Sequence, residues 1–184
     1  MHKSLEIRIF CLSLYPNQKS NDMKLFEAKV LAIQLMDKHG LLDTGWHFEF
    51  DNAKRRFGVC KYGTKTIGLS KHLTELNGEA RIKNTILHEI AHALVGHKNG
   101  HNWVWRAKAI EIGCDGERCY NNREVATPEA KYEAVCVGCG HVHKKHKRPT
   151  RTASCGKCSG GRYNETYKLV WKTQEQRNFA KIFG

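Results

Sequence analysis

A chain of 184 residues can hold one main domain with a hydrophobic core and a small additional domain. Hydrophobic residues make up 40% of it and charged residues 27%, which is typical of a folded soluble protein rather than a disordered one. No apolar run approaches the roughly 20 residues of a membrane-spanning helix, so no membrane partner is expected. Thirty-one lysines and arginines against 18 acidic residues give a net charge of +13, which favours nucleic acid as a partner, although solubility alone also explains such charge.

The first 22 residues are predicted to form an extension outside the folded core. Residues 9–14 are apolar, but Arg8 interrupts the start of the run and no small-residue cleavage site follows it, so a secretory signal peptide does not fit. Without such a signal, the eight cysteines favour metal ligands over disulfides and a reducing compartment. We therefore expect a cytoplasmic or nucleoid-associated protein that is not secreted.

Helical and strand periodicities follow one another in the first half of the chain. Apolar residues recur at three- and four-residue spacing over residues 23–39, which predicts an amphipathic helix that ends at Gly40. Residues 46–50 alternate as a half-buried strand does, and residues 57–62 and 66–69 are typical of two further short strands. This order favours a helix followed by a three-stranded antiparallel sheet, and hence an α+β fold.

Two more helices and a polar segment complete the predicted organisation. One helix is predicted over residues 79–95, where isoleucines and leucines form an apolar stripe, and another over residues 102–112. Residues 114–131 are polar and are interpreted as a linker. A cysteine-rich region over residues 132–171 and a polar tail over residues 172–184 follow it.

His88, Glu89 and His92 form the pattern H-E-x-x-H within the predicted helix over residues 79–95. Residues four apart lie one above the other on a helix, so both imidazoles can reach one metal ion. The glutamate lies near the metal but outside its coordination shell, where it can take a proton from zinc-bound water, whose pKa zinc lowers to about 7. The pattern predicts a zinc metallopeptidase with zincin-like helices and Glu89 as catalytic base; the alternative is three solvated side chains.

A catalytic zinc needs a third protein ligand and an open position, and two histidines follow the motif. His97 would project about 140° away from His92 if the helix continued to it. His101 lies beyond Gly96 and Gly100, at the start of the next predicted helix, where the intervening loop can turn it towards the metal. Geometry favours His101, and His97 remains the alternative.

Four cysteines in two C-x-x-C pairs predict a second metal site. Fifteen residues separate the pairs, and glycines beside them permit tight turns, which matches a structural zinc ribbon. The four predicted ligands are Cys136, Cys139, Cys155 and Cys158. The nearby histidines at positions 141, 143 and 146 are interpreted as solvated, and the cysteines at positions 11, 60, 114 and 119 as structural or incidental. The chain is thus expected to hold two Zn²⁺ ions, one catalytic and one structural.

Two clusters of basic residues are candidates for contacts with nucleic-acid phosphates. The first, which we call the ribbon loop cluster, comprises Lys144, Lys145, Lys147, Arg148 and Arg151, between the two cysteine pairs. The second, at the predicted first turn of the sheet, comprises Lys54, Arg55 and Arg56. Either cluster can instead be a solvated face.

Residues 52–60, 66–70 and 88–94, followed by the pattern G-H-x-x-x-W at residues 100–105, are similar to the SprT-like family of zinc metallopeptidases, the family of SprT and Spartan. With the zinc ribbon included, the resemblance covers residues 23–171. It implies a metallopeptidase domain over residues 23–113 that precedes the linker and the ribbon.

The resemblance also implies site residues and a function. In the family, the histidine of the H-G-x-x-W segment is the third zinc ligand, and His101 occupies its place. Asn102 stands where the family usually has glycine. The implied activity is an endopeptidase that is stimulated by DNA, in single-stranded or disrupted duplex form, and acts on DNA-bound or DNA-crosslinked proteins, with a role in DNA–protein crosslink repair.

The competing interpretation is a non-catalytic, zinc-containing DNA-binding module. Glu89 discriminates between the two, because a purely structural zinc site needs no carboxylate base. A structural site would also be closed by a fourth protein ligand.

Overall fold

A long helix opens the part of the chain that the structure describes. The computed structural model describes residues 16–119 and 125–183, so Cys11 and most of the predicted N-terminal extension lie outside it. Helix α1 spans Pro16–Lys38 and begins at residue 16 instead of the predicted 23. Proline suits the first helical turn, where its missing N–H costs no hydrogen bond, and this explains the earlier start.

Three strands form the first sheet: β1 (His47–Asp51), β2 (Gly58–Lys61) and β3 (Thr66–Ser70), in the order β1-β3-β2. The predicted three-stranded sheet and the α+β class are confirmed. Strands β2 and β3 pair antiparallel, as predicted, but β1 pairs with β3 in parallel. The fully antiparallel arrangement is therefore wrong for one of the two strand pairs.

The connection between β1 and β2 explains the parallel pair. The Ser70 backbone N–H donates to the carbonyl of Phe57 at 2.8 Å, and the Ser70 hydroxyl donates to the carbonyl of Ala53 at 2.5 Å. Residues 52–57 thus pass over the carboxyl end of β3 instead of turning back as a hairpin. Strand β2 consequently joins the far side of β3, and β3 becomes the central strand.

Three helices follow the sheet. Helix α2 (Lys71–Leu76), which the sequence analysis does not predict, begins where the Ser70 hydroxyl accepts a hydrogen bond from the Leu73 backbone N–H. Helix α3 (Glu79–Val95) has the predicted bounds. Helix α4 (Trp103–Glu111) falls within the predicted range of 102–112.

Helix α3 is buried on two sides. One side packs into the main core with α1 and β3, and the other packs against α4. The residues of α3 that make these contacts are Ile82, Ile86 and Ile90 towards the main core, and Leu87 and Ala91 towards α4. Truncating one buried isoleucine or leucine to alanine typically costs about 2–5 kcal/mol, so these contacts fix the rotation of α3 about its axis.

A second three-stranded sheet lies in the cysteine-rich region. Strand β4 (Tyr132–Val135) pairs antiparallel with β5 (Val142–Lys145) and with β6 (Lys172–Thr173). Glu165–Tyr167 forms a 3₁₀ turn, and helix α5 spans Gln174–Phe183. The residues predicted as a polar tail therefore form an edge strand and a helix.

The chain folds into two compact units, one up to Thr127 and the other from Pro128. Parts of the predicted linker over residues 114–131 are packed, since Cys114, Val125 and Ala130 are buried. Among the residues that the structure describes, no helix is both long enough and apolar enough to cross a membrane.

The side chain of Asn77 connects the end of α2 to the backbone of Ala126 by hydrogen bonds, and this connection can be tested. This buried side chain donates to the carbonyls of Leu73 and Ala126, at 2.7 and 2.9 Å, and accepts from the Ala126 N–H at 2.9 Å. Asn77→Ala leaves these backbone groups without partners, so we expect a loss of about 2–4 kcal/mol in the free energy of unfolding, measured by urea denaturation. The exposed Asn178→Ala is the control, and an equal effect of both changes would contradict this role.

Candidate metal centres

His88 and His92 lie one turn apart on α3 and line an open cleft of about 660 Å³. The packing of α3 on both sides fixes the direction of this helical face. Because the cleft is open, a polypeptide segment can approach the two imidazoles from solvent.

The loop after α3 brings His101 to the same place. Gly96 and Gly100 have φ of 81° and 51°, a region that favours glycine, and they turn the chain between α3 and α4. The side-chain oxygen of Asn102 accepts hydrogen bonds from the N–H groups of Val104 and Trp105, at 3.0 and 3.2 Å. Asn102 is therefore the N-cap of α4, and His101 is held immediately before that cap.

The three imidazoles converge on one point. The Nε2 atoms of His88 and His92 each lie 3.0 Å from Nε2 of His101. One ring nitrogen carries either a proton or a lone pair, so His101 Nε2 cannot make two good hydrogen bonds, whereas one metal ion accepts a lone pair from each ring. This donor set fits zinc.

The imidazoles are also in the right charge state for a metal. Burial, reinforced by the neighbouring histidines, lowers the pKa of His88 and of His92 to about 4. Burial also lowers the pKa of His101. These shifts all favour the neutral imidazole, which is the form that binds a metal.

The side chain of Trp105 packs against the rings of all three histidines. It is 1% exposed, its ring stacks on His92 at a centroid distance of 5.2 Å, and it meets His88 and His101 edge-on, each at 4.6 Å. Sequence reasoning assigns this residue no role. Its place in the pattern G-H-x-x-x-W at residues 100–105 is nevertheless a signal in the sequence.

Glu89 points from α3 towards β2 and is 7% exposed. Burial raises its pKa to about 8, while the charge of Arg56 and the backbone N–H of Cys60 oppose this shift. A bound zinc would favour the carboxylate further, because its positive charge lies nearby. Glu89 is thus oriented by β2 at the edge of the metal site.

Gly58 on β2 makes room for this carboxylate. A Cβ atom at position 58 would lie 2.5 Å from Oε1 of Glu89, far closer than any real contact. Only glycine lets β2 and α3 approach here, a requirement that the sequence does not reveal.

His97, the alternative third ligand, lies apart from the three-histidine group. Its ring contacts Tyr62 at a centroid distance of 5.8 Å, and the Tyr62 hydroxyl donates to the His92 carbonyl at 3.1 Å. This placement supports His101 as the third ligand.

The basic residues 54–56 lie beside the cleft. Arg55 and Arg56 line it, and Arg56 forms an ion pair with Asp51. Lys54 is half-buried next to them and is not among the lining residues. The cluster is thus part of the cleft rather than a separate surface. The charge of Arg56 lowers the pKa of Glu89 and so partly offsets the effect of burial.

The four cysteines of the second unit also converge. Cys136 Sγ lies 3.7 Å from Cys158 Sγ, and Cys139 Sγ lies 3.8 Å from Cys155 Sγ. A disulfide would require about 2.05 Å. Four thiolates at about 2.3 Å around one zinc lie about 3.8 Å apart, so the cluster fits a zinc ribbon. The Cys139 backbone N–H lowers the pKa of the Cys136 thiol, while hydrogen bonds with the other thiols of the cluster raise the pKa of Cys158.

The ribbon loop cluster divides into two groups. Lys144 forms an ion pair with Glu133 at 3.7 Å, and Lys145 lies over the ring of Trp171 at 4.8 Å. The other three members follow β5 and are exposed: Lys147, Arg148 and Arg151.

The two clusters predict two zinc ions per chain. We expect His88→Ala to remove one ion and Cys136→Ser the other, because the ligand sets share no residue. Metal analysis by inductively coupled plasma mass spectrometry measures both. The cysteine change should also unfold the second unit, since a structural zinc contributes folding free energy directly. A wild-type ratio near one would exclude one of the sites.

The third ligand can be tested in the same way. His101→Ala should weaken zinc binding at the three-histidine group by at least about tenfold. His97→Ala, which removes an imidazole of the same cleft, should leave it unchanged. Titration with a zinc chelator measures both affinities. If His97→Ala loses the metal and His101→Ala keeps it, the assignment is wrong.

The comparisons with known proteins concern the first unit. The SprT-like family model matches residues 27–127, which is 101 of 184 residues and contains H-E-x-x-H and His101. No curated protein and no solved structure matches the chain significantly. Since the match covers more than half of its length, this chain belongs to the SprT-like family.

Proposed function

We propose that this protein is a zinc-dependent endopeptidase that acts on DNA-bound or DNA-crosslinked proteins and is stimulated by DNA. One observation carries the peptidase part: three imidazoles converge in an open cleft with Glu89 next to them on α3. Among the residues that the structure describes, no fourth His, Cys, Asp or Glu joins this group. A metal held there keeps a free position for water or substrate, as in catalytic rather than structural zinc sites.

The residues of the cleft have separate tasks in such a reaction. His88, His92 and His101 would hold the zinc, which would supply a Lewis acid for activating water and the scissile carbonyl. Glu89 accepts the proton of the attacking water and returns it to the nitrogen of the departing amine. Strand β2 confines the Glu89 side chain at Gly58, and the Trp105 ring packs against all three imidazoles.

The DNA-directed part of the proposal rests on charge and on the family. The net charge of +13 and the exposed residues Lys147, Arg148 and Arg151 suit contacts with phosphates. Such contacts would bring the peptidase close to proteins that are bound to the same DNA. The family resemblance supports DNA-bound proteins as the substrate class.

Glu89→Gln tests the peptidase. Glutamine has nearly the same shape, so zinc content and fold should persist, but it cannot accept the proton. We expect cleavage of a DNA-bound protein to fall by about 10²–10⁴-fold, measured as fragment release with and without DNA. Glu79→Gln, an exposed change on the same helix, is the control. If the wild type cleaves nothing under any DNA condition, the non-catalytic DNA-binding module is the better account.

The salt dependence of binding tests the DNA contacts. Neutralising Lys147, Arg148 and Arg151 should flatten the slope of log K against log salt by about 2–3 units, because each phosphate contact contributes about 0.7 on single strands and 0.9 on duplex DNA. Fluorescence anisotropy with a labelled oligonucleotide measures the slope. The control neutralises three exposed lysines of the first unit, at positions 29, 38 and 83, and removes the same net charge. An equal effect of both triple changes would contradict a specific role of the ribbon loop cluster.

A further inference from the structure

His92 lies in the last turn of α3, which ends at Val95. The carbonyls of a final helical turn lack partners within the helix, and such turns open easily unless other contacts hold them. His88 lies one turn earlier, inside the helix. The position of the His92 ring relative to the other two imidazoles therefore depends on what keeps the last turn closed.

The side chain of Tyr62 holds this turn from outside the helix. Its hydroxyl donates to the His92 carbonyl at 3.1 Å. The same carbonyl accepts a hydrogen bond from the backbone N–H of Gly96, the C-cap of α3, at 3.0 Å. A carbonyl oxygen has two lone pairs, so it can accept both hydrogen bonds. The backbone of a predicted zinc ligand is thus joined both to the C-cap of its own helix and to a residue 30 positions earlier.

Tyr62 is itself fixed by the first sheet. It directly follows β2, and its carbonyl accepts a hydrogen bond from the Lys65 N–H at 3.2 Å in the turn that leads to β3. Its half-buried ring meets Trp46, the residue before β1, edge-on at a centroid distance of 6.2 Å. The hydroxyl therefore links the end of α3 to a part of the chain that the strands hold in place.

We propose that Tyr62 is a positioning residue whose hydroxyl keeps the last turn of α3 closed and so holds His92 in place beside His88 and His101 for zinc. The inference rests on the proposed zinc site and concerns metal affinity rather than proteolysis. When the turn opens, the three imidazoles no longer converge. The apparent affinity for zinc then falls in proportion to the fraction of molecules that are still competent to bind it.

The test removes only the hydroxyl, in the full-length protein. Tyr62→Phe keeps the aromatic ring and should weaken zinc binding at the three-histidine site by about 3–10-fold, as expected for one lost hydrogen bond. Chelator titration measures the affinity of the zinc that is absent from His88→Ala. Tyr163→Phe is the matched control, because it removes a hydroxyl that donates to Glu165 in the second unit, and it should leave this affinity unchanged.

Hydrogen exchange, measured by NMR on the zinc-free protein, separates positioning from general damage. The Gly96 amide is protected only while the last turn is closed, so it should exchange about 3–10-fold faster in Tyr62→Phe than in the wild type. The amide of Ile90, earlier in α3, should exchange at the wild-type rate. Unchanged zinc affinity, or equal acceleration at both amides, would overturn the proposal. A wild type that binds this zinc but cleaves no protein would contradict only the proposed function.

Discussion

The burial of α3 on two sides, against the main core and against α4, is the constraint on which the metal site depends. Isoleucines on one side pack into the main core, while Leu87 and Ala91 pack against α4. With both sides fixed, the remaining faces of the helix have only one orientation. His88 and His92 then face the cleft, and Glu89 faces β2. A rotation of α3 would disrupt two packed surfaces at once, at a cost of several kcal/mol.

The other parts of the first unit bring their groups to this fixed helix. Strand β2 approaches closely enough to orient Glu89 because position 58 is glycine. Helix α4 presents His101 at its capped start and Trp105 one turn later. The segment after α4 returns to α3 through the hydrogen bonds between Asp115 and Asn84. The site is thus assembled from three segments around one helix, and only the H-E-x-x-H pattern on α3 itself is local in sequence.

This difference explains what could be predicted from the sequence. The bounds of α3, the pattern H-E-x-x-H and the two cysteine pairs are local features, and each appears in the structure where it is expected. The parallel pairing of β1 with β3 depends on hydrogen bonds of Ser70 to residues 13 and 17 positions earlier, which no periodicity reports. The close approach at Gly58 and the contact between Asn84 and Asp115 are likewise long-range, and a single sequence carries no signal for them.

The zinc coordination itself tests the central claim, an open three-histidine site beside Glu89. A crystal structure of the zinc-loaded protein, with anomalous scattering measured at the zinc edge, locates each metal ion and its ligands. We predict one ion about 2.0–2.1 Å from Nε2 of His88, His92 and His101, with its fourth position free of protein, and a second about 2.3 Å from four cysteine sulfurs. A fourth protein ligand on the first ion would contradict a catalytic site. The absence of any zinc ion at the three histidines would contradict the site altogether.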